Sequence, residues 1–414
     1  MNIKKNITLT LFYFSLMLVF TKTSFSQGGS NYSILGFGDI NQVVSASYEG
    51  LAGTAIAIPS SNSINIINPA LISLVTDTRL QVGYNFNQNI VTTTNSNLWQ
   101  NNGGVNGINA LFALDTTAKV SVALGLIPAS KVNYLVAKSF IVPYNNGELH
   151  GTSLYKGSGG LSSLYLALGA NVVDNLYLGA NIFGNFGSIN YNNTISYLED
   201  YTFTNTFNQQ DYFSGFGYKF GLFYQFPFNF NIGAYYSNYG TIKVDRAKSY
   251  SSDLLNDTTF TESLNVNPPS SFGIGISYQT GKFLIGADWK VLNISNLNYG
   301  FSLDNKFKNS NEVSIGAVRF GNTMPGADYA DRITYRFGAG YNALYYEIAN
   351  TNINEINLSV GASFPIGYSG LLDVAAIFGQ RGTTNNGLLN EYYSKLVIDF
   401  SIGEGWFHPY KREY

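Results

Sequence analysis

Seven charged side chains share one face of segments whose apolar residues recur with period two. In strands this spacing points all seven to the same side. Facing lipid, each would cost about 2–4 kcal/mol at the centre of a membrane, so we predict that they face a polar interior. There they hold another part of the chain by ion pairs, guide the carboxylate of a ligand, or are simply hydrated. They are Asp288, Lys290, Glu312, Arg336, Asp373, Lys395 and Asp399.

The tripeptide Asn68-Pro69-Ala70 is a second candidate site, near the end of a stretch from Ala46 to Leu74 that is rich in Gly, Ala and Ser. Unlike the rest of the chain, this stretch does not alternate. Pro69 has a fixed φ and no N–H, and it favours an extended conformation at Asn68. The Asn68 amide can then hydrogen-bond to backbone groups. We interpret the stretch as a plug (hatch) with the tripeptide at its gate; a plain turn is the alternative.

Catalytic and metal-binding chemistry has little support. The chain contains no Cys and only two His, His150 and His408, which excludes thiolate metal sites and a thiol nucleophile. His150 and Ser153 fall in a predicted loop, where their spacing defines no catalytic geometry. The run 157–160 has the glycines of a phosphate loop but neither its Lys nor its strand–helix context. We therefore predict no enzymatic activity, no cofactor and no metal.

The composition is that of a membrane β-barrel. Only 12% of the residues are charged, whereas the chain has 31 Tyr, 30 Phe, 43 Gly and a mean hydropathy of +0.00. A barrel needs such a mixture because lipid lies outside its wall and water inside. The net charge of -2 comes without the basic stripe that nucleic-acid binding requires.

The N-terminus has the features of a secretory signal peptide. Lys4 and Lys5 precede the apolar run Leu9–Phe20, and small residues lead to a predicted cut between Ser26 and Gln27. The run is too short to be a membrane anchor. We predict a signal peptide over 1–26, a plug over 27–78 and a transmembrane barrel over 79–414. The predicted location is the bacterial outer membrane, with lipid around the wall and the barrel-assembly machinery acting during biogenesis.

Strands are predicted from residue 79 onward. Between Leu161 and Val172, for example, Leu164, Leu166 and Leu168 alternate with small or polar residues. Fourteen such runs imply an all-β fold, a transmembrane antiparallel barrel of about 14 strands with the plug in its lumen. The runs are 79–90, 105–115, 119–128, 160–172, 175–189, 212–226, 229–246, 270–279, 282–292, 311–320, 332–343, 355–364, 371–379 and 391–402.

The connections predicted between these strands alternate in length. Short turns alternate with long polar loops, as between periplasmic and external ends of a barrel. The long loops include 129–159, 190–211 and 247–269. After the last strand, Trp406 and Phe407 either belong to an interfacial aromatic girdle or form part of an assembly signal, and both can hold.

The chain resembles the FadL/TodX family of outer-membrane transporters for hydrophobic compounds, most closely the branch common in Bacteroidetes. Four stretches carry the resemblance: Gly50–Leu71 with its Asn-Pro-Ala, Tyr155–Ile189, Pro268–Ser295, and Asp331–Asn342 with its continuation to Thr383. The family implies a fourteen-stranded barrel with an N-terminal hatch that contains the Asn-Pro-Ala motif. It also implies small hydrophobic ligands that leave sideways, between strands, into the bilayer.

Two functions remain open at this point. One is hatch-gated diffusion of small hydrophobic molecules, long-chain fatty acid-like or aromatic. The other is a FadL-fold subunit of a protein secretion or outer-membrane assembly complex, comparable to the shuttle barrel of type IX secretion, with a protein partner. For a lateral opening we predict an interrupted strand near Val120–Pro128.

Overall fold

The computed structural model describes residues 29–41, 45–93, 97–144, 147–197, 204–253, 256–299, 305–324, 326–367 and 369–405. The predicted signal peptide, its cleavage site and the aromatic pair Trp406 and Phe407 lie outside the described residues. Cis peptide bonds are not found in the described part of the chain.

Strands account for most of the described chain. They are β1 (Asp39–Ile40), β2 (Thr78–Thr92), β3 (Asn97–Asp115), β4 (Val120–Pro128), β5 (Ser130–Tyr144), β6 (Gly147–Val173), β7 (Leu176–Tyr197), β8 (Thr204–Gln225), β9 (Phe230–Asn238), β10 (Ile242–Ser252), β11 (Thr258–Val266), β12 (Ser270–Thr280), β13 (Phe283–Asn293), β14 (Asn305–Phe307), β15 (Ser310–Arg319), β16 (Thr334–Ile348), β17 (Thr351–Ile366), β18 (Gly370–Gly382) and β19 (Asn390–Glu404).

Fourteen of the described strands form a closed antiparallel ring, which confirms the predicted fold. The order around the ring is β2, β3, β4, β6, β7, β8, β9, β12, β13, β15, β16, β17, β18 and β19. β19 then pairs with β2 from Glu404–Thr78 to Asn390–Thr92 and closes the ring. Thirteen of the predicted runs each correspond to one ring strand, whereas the run 229–246 covers β9 together with the start of β10.

The wall alternates as the sequence predicts. On β6, Leu164, Leu166 and Leu168 are 57%, 48% and 49% exposed, whereas Tyr165 and Ala167 between them are buried. Exposed apolar side chains continue around the ring on the same outer side. This outer face is therefore the hydrocarbon-facing surface of the wall. Among the described residues, no helix is long and apolar enough to cross a membrane.

The predicted long loops are wrong over most of their length, because they form strands. β5 pairs with the first half of β6, and β10 pairs with both β8 and β11. Together with the outer halves of β7 and β8, these strands extend the sheet beyond the ring. His150 consequently lies in β6, opposite Ile141, and not in a loop.

The segment before β2 lies inside the ring; we call residues 29–41 and 45–77 the interior segment. It contains a 3₁₀ helix at Asn31–Ile34, a one-turn α-helix at Ala46–Glu49 and a 3₁₀ helix at Pro69–Leu74. Its backbone and side chains contact wall residues on β5, β8, β12, β13, β15, β16, β17 and β19. Contacts with strands all around the ring require that the segment occupy the lumen.

Three further short helices lie at the connections, at Pro227–Asn229, Tyr329–Arg332 and Asn385–Gly387. The helix Tyr329–Arg332 is in the connection between β15 and β16. Positive φ angles at Asn175 and Phe228 mark tight turns between β6 and β7 and between β8 and β9.

One wall strand is interrupted. β4 pairs with β3 only as far as Leu126 opposite Ile108, and Ala129 separates β4 from β5. β5 continues along β6 but pairs on its other edge with the interior segment, through Ser130 and Lys131. At the same level of the adjacent strand β6, Gly159 and Gly160 have positive φ angles of +111° and +143°. The interruption falls directly after the stretch predicted for it.

Candidate functional site

Asn68 links the interior segment to itself and to the wall. It is fully buried and caps the helix Pro69–Leu74, its Oδ1 accepting from the Ala70 N–H at 3.2 Å. Its Nδ2 donates to the carbonyls of Ile56 at 2.8 Å and Leu222 at 2.9 Å. As expected, its backbone is extended, with φ -113° and ψ 101°. This one amide therefore hydrogen-bonds to two stretches of the interior segment, at Ile56 and Ala70, and to Leu222 on β8.

Glycines on four wall strands form the seat for this tripeptide. A Cβ added at Gly221 would overlap Asn68 Oδ1, and one at Gly179 would overlap the Pro69–Ala70 peptide. Gly169 lies against the Pro69 carbonyl and Gly233 against the Ile56 carbonyl. Only residues without a side chain allow this approach. The alternation in the sequence puts Gly169 and Gly179 on the inner face but does not reveal what they contact.

Two of the predicted interior carboxylates bind the backbone of the interior segment. Asp288 Oδ2 accepts from the N–H groups of Ala55 at 2.6 Å and Ile56 at 2.9 Å. Asp399 Oδ2 accepts from the Ala46 N–H at 2.6 Å, at the start of the one-turn helix. Charged acceptors form the stronger class of hydrogen bond, so these two side chains fix the segment at two levels.

Two of the predicted lysines also reach the interior segment. Lys290 Nζ donates to the Gly53 carbonyl at 2.7 Å and pairs with Glu312 at 2.7 Å. Lys395 Nζ pairs with Glu49 at 2.5 Å.

The remaining predicted pair joins wall strands to each other. Arg336 on β16 lies 3.5 Å from Asp373 on β18, with Ser363 on β17 hydrogen-bonded to both. The structure therefore divides the seven charges. Four contact the interior segment directly, Glu312 acts through Lys290, and Arg336 and Asp373 brace the wall.

A further cation that holds the interior segment, Arg381, is not among the predicted residues. Its Nη1 lies 2.6 Å from Asp39 of the interior segment, and its Nη2 lies 2.6 Å from Glu355. Burial raises the pKa of the Asp39 carboxyl above its usual value, and the nearby charge of Arg381 offsets only part of this rise. Arg381 has the same parity as Asp373 on β18, so continuing the predicted run by one period would have found it.

The outer half of the lumen is apolar and filled. Tyr32, Leu35 and Phe37 of the interior segment are each 3% exposed and pack in one cluster with wall residues. Phe37 stacks on Tyr299 with ring centroids 5.2 Å apart. Tyr345 donates its hydroxyl to the carbonyls of Leu35 and Gly38. An apolar chamber is thus occupied by the chain's own side chains.

In the described part of the chain, no group of three or more His, Cys, Asp or Glu is placed to hold a metal ion. The site instead consists of a fitted interior segment, a polar network that holds it and an adjacent interruption in the wall.

Solved structures similar to this chain are outer-membrane channels. The Pseudomonas aeruginosa FadL homologue matches with a TM-score of 0.61 and 11% identity over 90% of this chain and 100% of that chain. The P. putida toluene transporter TodX matches with 0.58 and 16% over 91% and 100%. The CymD monoaromatic hydrocarbon channel matches with 0.56 and 14% over 92% and 100%. These matches confirm the predicted FadL/TodX resemblance as a likeness of fold.

Among curated proteins, no sequence matches the chain. One family does match, over almost the whole length: the family described as BamG, from residue 3 to residue 413. A protein with the closed FadL-type barrel, its interior segment and a match of this extent belongs to the BamG family.

Proposed function

We propose that this protein passes small hydrophobic molecules across the outer membrane by diffusion, with the interior segment as a plug and Asn68, Pro69 and Ala70 at its gate. The interruption between β4 and β5 is the observation that carries the proposal. The fold is shared with channels whose names give toluene or monoaromatic hydrocarbons as cargo. The proposed route needs neither ATP nor covalent chemistry.

The interruption supplies the proposed lateral exit. Beyond Ile108, β3 and β5 are no longer joined by a strand ladder. The edge of β5 is taken by the plug, with Asp39 opposite Lys131 and the Asn41 N–H on the Ala129 carbonyl at 2.9 Å. If the plug shifts, this edge loses its partner and the wall opens toward lipid.

The apolar chamber supplies the proposed entry site. Tyr32, Leu35 and Phe37 fill it in the closed state. A hydrophobic ligand could take their place at little cost, because one apolar contact replaces another. The four predicted charges that contact the plug directly then set how firmly the closed state is held.

Cross-linking the two sides of the interruption tests the exit. Lys131 Nζ donates to Asn102 Oδ1 at 2.7 Å across it, and the chain has no Cys. In Asn102→Cys/Lys131→Cys joined by a short thiol-reactive linker, uptake of toluene and of a fluorescent fatty acid into proteoliposomes is expected to fall, and cleaving the linker restores it.

The matched control joins Asn192 and Asn208, which hydrogen-bond to each other on the extended sheet. The same linker at Asn192→Cys/Asn208→Cys should leave uptake unchanged. Undiminished uptake with the first pair fully linked would refute the lateral exit. An absence of uptake by the unmodified protein would refute transport itself.

A second function is favoured by the family match: a subunit of an outer-membrane assembly complex. The name BamG follows the naming of barrel-assembly machinery components. The sheet that extends beyond the ring offers a surface for a protein partner.

Native mass spectrometry after gentle extraction distinguishes the transport function from the subunit function. A stoichiometric protein partner with an empty lumen supports the subunit, whereas a bound apolar molecule supports transport.

A further inference from the structure

A cavity of about 260 Å³ lies between the interior segment and the wall, with a lining that mixes polar and apolar side chains. Ser30, Asp39 and Asn41 line it on one side, and Glu49 and Gly53 line it on the other. Wall strands complete it. A volume of this size far exceeds what one buried water needs.

Eight asparagines contribute to the lining, more than any other residue type. Asn85, Asn87 and Asn89 of β2, Asn102 of β3, Asn133 of β5 and Asn357 of β17 all contribute. An amide offers both a donor and an acceptor and carries no charge. Bare hydrocarbon in this space would deprive these groups of hydrogen bonds, which is costly.

The charges in the lining do not suit an anionic group. Acidic side chains outnumber cationic ones, with Asp39, Glu49, Glu312, Glu355 and Glu391 against Lys131, Arg381 and Lys395. Arg381 and Lys395 are already paired with carboxylates. An added carboxylate or phosphate would find no free cation beyond Lys131, whose Nζ already donates to Asn102.

The cavity also adjoins the interruption in the wall. Asn102, Lys131 and Asn133 line the cavity and flank the place where β3 and β5 separate. The outer face beside them is apolar, with Trp99 and Val105 50% and 58% exposed. A molecule placed there could keep an apolar tail in the bilayer and its head in the cavity.

We infer that the cargo is an amphiphile with an uncharged, hydroxyl-rich head, such as a sugar, and that this cavity is the site of the head. The inference rests on the proposed function and narrows its cargo class. The amide lining selects hydroxyl groups, and the excess of carboxylates disfavours acidic heads.

Binding of three probes with the same alkyl chain tests the inference. Dodecyl maltoside, dodecanoate and dodecyltrimethylammonium are titrated by native mass spectrometry into protein held in an oligo-oxyethylene detergent. We expect the maltoside to bind at least about ten-fold more tightly than the other two. Asn87→Leu/Asn357→Leu should remove this preference, and Asn357→Ser should retain part of it.

Asn192→Leu on the extended sheet is the matched control and should bind as the unmodified protein does. Heat-modifiable migration on gels verifies that each variant is folded. Equal binding of all three probes, or a cavity that holds water only, would overturn the inference. In either case, uptake of toluene by the unmodified protein would leave the proposed function standing. If the unmodified protein takes up no toluene, both the proposed function and this inference are refuted.

Discussion

At the residue scale, the interior is held by charged side chains that bind backbone rather than by charge pairs alone. Asp288 and Asp399 each accept N–H groups of the interior segment while buried. These backbone donors would otherwise face a lumen from which bulk water is excluded. The predicted positions of the charges follow from alternation, but their partners depend on how the interior segment lies against the wall.

Asp288→Ala tests this attachment. The change leaves the Ala55 and Ile56 donors unpaired, at about 1–3 kcal/mol each. A single cysteine at buried Thr54 should then react with a maleimide about ten-fold faster or more, since 1.4 kcal/mol is a factor of ten. Asp174→Ala, in an exposed turn, is the control. An unchanged rate would show that Asp288 does not hold the segment.

Gly221→Ala tests the glycine seat. The added Cβ would meet Asn68 Oδ1, and overpacking of this kind costs about 1–3 kcal/mol. We expect a lower melting temperature and faster proteolysis of the interior segment. Gly104→Ala is the control, because no atom lies within 4 Å of a Cβ there. Equal stability of the two variants would contradict the close packing of Gly221 against Asn68.

At the element scale, the sequence predicts the strands that face lipid and misses those that do not. Ring strands carry a period-two signal because one face meets hydrocarbon. β11 is exposed on both faces, so Thr258–Val266 has no apolar stripe and its sequence predicts a loop. The strands of the extended sheet are specified by pairing with distant partners, which no local pattern reveals.

Shortening the β10–β11 hairpin tests whether the extended sheet is independent of the ring. Ala247 lies opposite Thr261, so replacing 248–260 with Asn-Gly allows a two-residue turn that matches this register. We expect the ring to form normally, with unchanged heat-modifiable migration. Loss of the folded species would mean that the hairpin is needed by the wall.

At the scale of the whole molecule, the ring is closed by its own strands, and the lumen is closed by the interior segment. The β19–β2 ladder does not involve that segment. We therefore expect deletion of 29–74 to leave a folded ring that conducts ions in planar bilayers, whereas the full chain does not. The inner face left behind is rich in Gly, Asn and charge, and it would hydrate. A deletion variant that folds but does not conduct would contradict this.

The interior segment precedes every ring strand in the chain, and some of its partners lie in β19, the last of those strands. Ser30 donates to Glu391 across 361 positions, and Ala46 binds Asp399 across 353. Contacts so distant in sequence form slowly, because the entropy cost of closing a long loop precedes the stability that the contacts provide. The segment can therefore be fully bound only once the final strand is in place. Ser30 and Ala46 therefore find these partners only in a chain whose last ring strand has formed, and their hydrogen bonds stabilise the completed ring over any ring that lacks β19.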